Sequence, residues 1–293
     1  MIKITVTKND SGQRADKFLK KSFPQLPVSL IYKTFRKKDV KVNGKWIKEN
    51  VFLEEGDELL IYLPDDLFAP KAFTPVNGDI TIIYEDENIA VIDKDKGVPC
   101  QDGAGLSAPL CDIFKTYLYN RKEYDPNYEH SFSPALCNRI DTNTEGLVIG
   151  AKNAEALRDM NEAIRERRVK KFYLCETEGL PPKNEDTVRL KLKKDGSLNK
   201  SFTSEDGVLT ETHYKVLERH GQNAVCEIEL LTGKSHQIRA VMAHLGCPLV
   251  GDNKYGASTS HGQHLIAYKI EFDIASPFLS YLNGKIFCSK HTI

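Results

Sequence analysis

The sequence predicts an α+β chain, with hairpins and amphipathic helices in separate blocks instead of a regular strand–helix alternation. Three observations predict it. Asn43-Gly44, the strongest short hairpin signal, separates Val40-Lys41-Val42 from Lys45-Trp46-Ile47. Ile80–Tyr84 and Ile89–Asp93 flank a polar four-residue turn, Glu85–Asn88. Helical periodicity from Asn153 to Arg168 runs directly into a strand pattern, Lys171–Glu176.

Met1–Val6 alternates like a strand. Arg14–Lys21 starts a short amphipathic helix ending near Phe23-Pro24, and a second runs from about Ser29, its expected cap, to Lys37. After the Asn43-Gly44 hairpin, Gly56–Leu63 closes this first unit as a strand. Pro64, Pro70 and Pro75 punctuate a stretch without periodicity, so residues 64–77 are expected to be a linker. The remainder, 78–293, is expected to form one larger domain. In it Asn153 caps a helix that buries Leu157, Met160 and Ile164.

The net charge of zero hides an asymmetry: residues 1–63 carry 13 Lys+Arg against 8 Asp+Glu, and the rest has the opposite excess. Lys33, Arg36, Lys37, Lys38, Lys41, Lys45 and Lys48 crowd one short stretch with only Asp39 among them. That is either a footprint for a polyanion or a solvated basic face. Trp46 could stack on a base, but a lone tryptophan beside a hairpin is more often a core plug. The seven cysteines are never closer than eleven positions apart, so no zinc pair is expected and a reduced, cytoplasmic setting is. His261-x-x-His264 has no companion ligands nearby and reads as structural. No apolar run is long enough to span a membrane.

The central stretch is Asn138-Arg139-Ile140-Asp141-Thr142-Asn143-Thr144-Glu145-Gly146-Leu147, a charged turn ahead of the apolar strand Gly146–Ala151. A carboxylate at such a rim is costly unless held by a cation or hydrogen bonds, so Asp141 is either a structural ion-pair member or a chemical tool. A calcium loop is excluded, because its twelfth position is Lys152 where a Glu is needed. A phosphoryl-accepting Asp is set aside too, for want of a phosphate-cradling glycine loop.

Asn138-Arg139-Ile140-Asp141-x-x-Thr144-x-Gly146-Leu147 resembles the central motif of the RluA-type pseudouridine synthases, with Asn138 in place of the customary His and Glu145 in place of Ser. Lys94–Pro99 matches the family's opening segment loosely. Lys171-x-Tyr173 with Gly179 resembles its second landmark. Leu231-Thr232-Gly233-Lys234-Ser235-His236-Gln237-Ile238-Arg239, continuing through Met242, Gly246, Pro248, Gly251-Asp252 and Tyr255-Gly256, resembles its third, with Val241 where a His is usual. Ser235 is expected to cap a helix with Ile238, Val241, Met242 and Leu245 on its buried face. His236, Arg239, Ala240 and Ala243 fall on the other, so Arg239 should have an anionic partner elsewhere.

The resemblance implies a mixed, mainly antiparallel sheet with flanking helices and a central cleft, and isomerisation of uridine in RNA to pseudouridine without metal or cofactor. It implies that Asp141 is the essential carboxylate, as nucleophile at the anomeric carbon or base at the neighbouring ribose carbon, held ionised by Arg239. Tyr173 would stack on the uracil and help remove the ring-carbon proton. Arg139 would fill the space left by the extruded nucleotide. Asn138, Thr144, His236 and Gln237 would contact substrate. Residues 12–63 resemble the alpha-L RNA-binding module of ribosomal proteins, whose phosphate contacts here would come from Lys33, Arg36, Lys37, Lys38, Lys41 and Lys45. The partner implied is structured RNA, ribosomal or transfer, bound by a monomer. Asn138 keeps open a second reading, a non-catalytic RNA-binding or ribosome-assembly factor on the same scaffold.

Overall fold

The computed structural model describes residues 1–63, 73–101 and 107–293; of the expected linker, residues 64–72, with Pro64 and Pro70, lie outside them. The chain forms two compact units. One comprises Met1–Val76 with Phe114–Ala135 and Lys152–Glu155, the other Asn77–Ile113, Leu136–Ala151 and Ala156–Ile293.

In the first unit β1 (Ile2–Thr5), α1 (Ala15–Ser22), α2 (Val28–Arg36), β2 (Val40–Val42), β3 (Lys45–Trp46) and β4 (Glu58–Ile61) follow in order. Their four strands make one sheet in the order β1-β4-β2-β3. Phe18, Leu19, Ile31 and Phe35 from the helices pack with Ile4, Val40, Leu59 and Ile61 from the strands. Asn43 and Gly44 both take positive φ, 49° and 78°, the backbone that a two-residue hairpin turn demands. Two local expectations fail here. Pro27, not Ser29, precedes α2, and no side chain caps it; proline's fixed φ presets the helix start, which leaves Ser29 inside the first turn. Trp46 is 49% exposed, with Lys38 Nζ 4.9 Å from its ring centre, so it is no core plug. Lys33, Arg36, Lys37, Lys38 and Lys45 are exposed and Lys41 half-buried. Segment 114–135 is held in this unit by Asp10, fully buried, whose carboxylate accepts hydrogen bonds from Ser131 N, Ser131 Oγ and His130 N at 2.8, 2.6 and 3.3 Å.

The rest of the chain supplies β5 (Thr81–Glu85), β6 (Ile89–Lys94), α3 (Leu110–Asn120), β7 (Ala135–Leu136), β8 (Glu145–Ala151), α4 (Ala154–Arg165), β9 (Val169–Glu178), β10 (Glu185–Asp195), β11 (Lys200–Thr203), β12 (Val208–His220), β13 (Asn223–Leu230), α5 (Gln237–His244), β14 (Leu265–Phe272) and β15 (Ile286–Cys288). An eleven-stranded sheet runs β11-β10-β12-β13-β9-β14-β8-β6-β5, with β15 beside β14 and β7 beside β8. β8 and β14 are parallel, whereas β8 and β6 are antiparallel, so the sheet is mixed and mainly antiparallel, as expected. α4 ends at Arg165, three residues short of the expected Arg168, and Arg167 adopts φ 62° where the chain turns into β9. Its Met160 is fully buried, and Leu157 and Ile164 pack on a core that includes Leu147, Ile149, Val169 and Ile270. No helix among the described residues is long and apolar enough to cross a membrane.

The β8–β14 seam fixes where the charged turn meets the sheet. Gly146 sits there with φ 108°, and a Cβ on it would lie 2.3 Å from the Ala267 carbonyl oxygen. Neither the dihedral nor the space admits a side chain. Gly146→Ala should therefore cost at least about 2 kcal/mol; a melting temperature equal to that of the parent would disprove the close approach.

Candidate active site

The turn preceding β8 has its backbone groups accounted for. Asp141 O accepts from Thr144 N at 3.0 Å, and Thr142 O from Gly97 N at 2.9 Å and Lys94 Nζ at 3.1 Å. Ile140 N reaches Cys100 Sγ at 3.5 Å. Asn138 lines the same cavity as Asp141, and its Oδ1 accepts from Ile149 N at 2.8 Å, which ties the turn to β8. The amide thus serves as the turn's anchor. Thr144, 1% exposed, accepts from Gln263 Nε2 at 3.2 Å and is equally internal.

α5 is positioned from the other side. Gln237, 2% exposed, uses its whole amide on protein. Nε2 donates to Glu211 O and Thr212 Oγ1 at 3.0 and 2.9 Å, while Oε1 accepts from Lys234 N and Thr232 Oγ1 at 3.1 Å each. Thr144 and Gln237 both line the cavity, and both side chains also have internal partners, Gln237 with its whole amide and Thr144 through the bond it accepts from Gln263. Ser235 does not cap the helix. The residue before Gln237 is His236, with left-handed backbone and no capping hydrogen bond. Nor is α5 one-sided, because every residue from Gln237 to Met242 is buried. That includes Arg239, expected on an uncovered face, and Val241, which lies in the core in place of the family's usual His.

Arg239 gains its burial through two carboxylates. Its Nε and Nη2 donate to Asp252 Oδ2 and Oδ1 at 2.7 and 2.8 Å, a bidentate fork, and Nη1 donates to Asp141 Oδ2 at 3.1 Å. The guanidinium also lies 4.9 Å from the centre of the Tyr255 ring. Asp252, 2% exposed, was not singled out by the sequence; its only sign was Gly251-Asp252 within the third landmark. His236 Nε2 is 3.7 Å from Asp141 Oδ2. Asp141, Tyr173, Arg239 and His236 all line one cavity of about 890 Å³, together with Arg139, Lys171 and Leu231. That volume is within the range that holds a small-molecule ligand. Burial and the Asp141 charge raise the pKa of Tyr173, so its phenol stays neutral. Burial lowers that of Lys171. Arg139 is exposed, with Nη1 3.2 Å from Gln101 Oε1.

The expected residues Asp141, Tyr173, Arg239, His236 and Arg139 thus meet at one cavity. Lys33, Arg36, Lys37, Lys38, Lys41 and Lys45 belong to the other compact unit. His264 Nδ1 lies 2.9 Å from Glu176 Oε2, away from any metal-like cluster among the described residues.

A family model for RNA pseudouridylate synthases matches residues 88–244. An uncharacterised RNA pseudouridine synthase of Mycoplasma capricolum is 31% identical, over 98% of this chain and 96% of its own. Ribosomal large subunit pseudouridine synthase C of Rickettsia bellii is 33% identical over 84% of this chain and 83% of its own, and that of Escherichia coli K12 30% over 86% and 79%. The solved structures of human RNA pseudouridylate synthase domain containing 1 and 4 share the fold, with TM-scores of 0.56 and 0.53 at 21% and 22% identity. They cover 73% and 65% of this chain, and 90% and 83% of theirs. The chain belongs to the RNA pseudouridylate synthase family. It is an isomerase that converts uridine in RNA to pseudouridine.

Lys94 is a further buried group that sequence reading left without a role. It is 1% exposed, donates to Asp95 O at 2.8 Å as well as to Thr142 O, and its pKa is lowered to about 8, chiefly by burial. A lysine whose folded pKa is depressed destabilises the protein while it must be protonated. The cost, on the order of 3 kcal/mol, is full below about pH 8 and vanishes as pH rises towards the ordinary value of 10.5. Between pH 8 and 10 the parent should gain stability relative to Lys94→Met. Calorimetric melting points of the two that stay a constant distance apart across this range would refute the assignment.

Proposed function

We propose that Asp141 is the group that acts on the ribose of the target uridine, with Arg239 holding it in place. The observation that carries this is the three-donor guanidinium: Asp252 takes two donors and fixes the plane, so that the third meets Asp141 Oδ2 at 3.1 Å. The second carboxylate oxygen, Oδ1, accepts no hydrogen bond among the described residues and is the one offered to substrate. Attack at the anomeric carbon, or proton removal from its neighbour, then releases the uracil, which turns and rebonds through its ring carbon C5. Tyr173 is proposed to stack on the uracil. Arg139, exposed at the cavity, is proposed to occupy the place of the extruded nucleotide and offset part of an unstacking cost of about a few kcal/mol.

The target is proposed to be a uridine in large-subunit ribosomal RNA, which follows the names of the relatives. Residues 1–63 are proposed as an alpha-L-type RNA-binding module and 78–293 as the catalytic domain. Helix order, hairpin and exposed basic residues support the first, and no carboxylate among the described residues pairs with Lys33, Arg36, Lys37, Lys38, Lys41 or Lys45. The monomer is proposed as the active form and the cytoplasm as its setting, which the seven free cysteines fit.

Asp141→Asn should abolish pseudouridine formation on ribosomal RNA and leave RNA affinity within about twofold; turnover retained by this variant would exclude the assignment. The double substitution Arg36→Gln, Lys37→Gln should weaken binding to all RNA sequences alike and reduce the salt slope of log affinity by about 2. An unchanged slope in filter binding would remove α2 and its end from the RNA contact.

A further inference from the structure

His236 carries a backbone conformation that its side chain does not favour, φ 54° and ψ 23°. A left-handed residue with a Cβ is strained, and such strain persists where the surroundings dictate it. Here they dictate the imidazole as well. Its Nδ1 lies 3.2 Å from the Tyr255 phenol oxygen. That phenol donates to Ser201 O at 3.0 Å and accepts from Ser201 N at 2.8 Å. A carbonyl can only accept, so the single phenolic hydrogen goes to Ser201 O. The ring nitrogen facing Tyr255 must then be the N–H. In the neutral ring this leaves the lone pair on Nε2, the nitrogen beside Asp141.

We propose that His236 is the base that removes the C5 proton of the uracil after the new carbon–carbon bond has formed. The proposal rests on the reading of Asp141 given above. Once C5 is bonded to the anomeric carbon it is tetrahedral and carries one hydrogen to be lost. It is then one bond from the anomeric carbon and at most two from the carbon on which Asp141 acts, so the acceptor must stand next to Asp141. Tyr173 keeps its own proton, whereas His236 offers an empty site on that side. The C5–H bond breaks and its electron pair becomes the C5–C6 double bond. The N1–C6 π pair moves to N1, and the proton, held meanwhile on Nε2, returns to N1. No proton is consumed overall, as an isomerisation requires.

Asp141 and Asp252 favour a charged imidazole, Arg239 and Lys254 oppose it, and burial outweighs them, lowering its pKa below the ordinary 6.5. The ring is therefore neutral and able to accept a proton at pH 7.

The test is single-turnover conversion of RNA carrying uridine, [5-²H]uridine or 5-fluorouridine at the target. His236→Asn keeps a residue that tolerates the left-handed backbone but has no basic lone pair. It should slow uridine conversion about 100-fold or more and make the deuterated RNA slower still. It should consume 5-fluorouridine RNA at the parent rate, because there is no C5 hydrogen to remove. Tyr255→Phe, which frees the tautomer, should show the same isotope effect with a smaller loss, so the assignment can be read even if the Asn variant is unstable. Equal slowing on all three RNAs, or a rate within a few-fold of the parent on uridine, would overturn it. Asp141→Asn inactive beside an unaffected His236→Asn rejects only this base; Asp141→Asn fully active rejects the site on which it rests.

Discussion

One guanidinium shared between two carboxylates is the constraint around which the cavity is arranged. Asp252 and Arg239 form a buried bidentate pair, and the desolvation of each is offset by the other and by good geometry. Only a fork that is already fixed can present its remaining donor at a set distance to Asp141, 98 residues earlier in the chain. Lysine has no such fork, and a charge alone would not set the orientation of the carboxylate.

The packing follows from that demand. α5 must lie with both sides covered, since Arg239 points to the cavity while Val241 and Met242 point to the core. Gln237 and the hydrogen bonds it makes to β12 and the Thr232–Lys234 loop lock the helix start. On the facing side, Lys94, Gly97 and Cys100 hold the Asp141 turn from behind, and Asn138 sews it to β8. The two halves of the site are thus each rigid before any RNA arrives, which is what a positioned carboxylate needs.

What could be read from the sequence was local. The Asn43-Gly44 hairpin, the β5–β6 pair and the charged turn before β8 depend on turn chemistry and short-range alternation. So each appears where the residues say it should. Arg239 could be seen to need an anion, but not which. Asp252 lies 13 residues on, at no helical or strand spacing, and only folding of the intervening loop joins them. The left-handed His236 was equally hidden, because the position would ordinarily ask for Gly or Asn and the strain is imposed by Tyr255 and the helix start. Trp46 misled for a related reason: residue type argues for burial, but a two-residue edge strand offers nothing to bury it against.

Asp10 has a consequence for how this protein could be altered by recombination. Its carboxylate is satisfied by amide and hydroxyl groups from residues 130 and 131, and Asn9 and Thr7 hold Glu129 beside it. The N-terminal portion is thus not a detachable cassette. A chimera that exchanges residues 1–63 for those of a relative removes Asp10, Thr7 and Asn9 together and strips Ser131 and Glu129 of the partners they have here, so the 129–131 segment has to be exchanged with it.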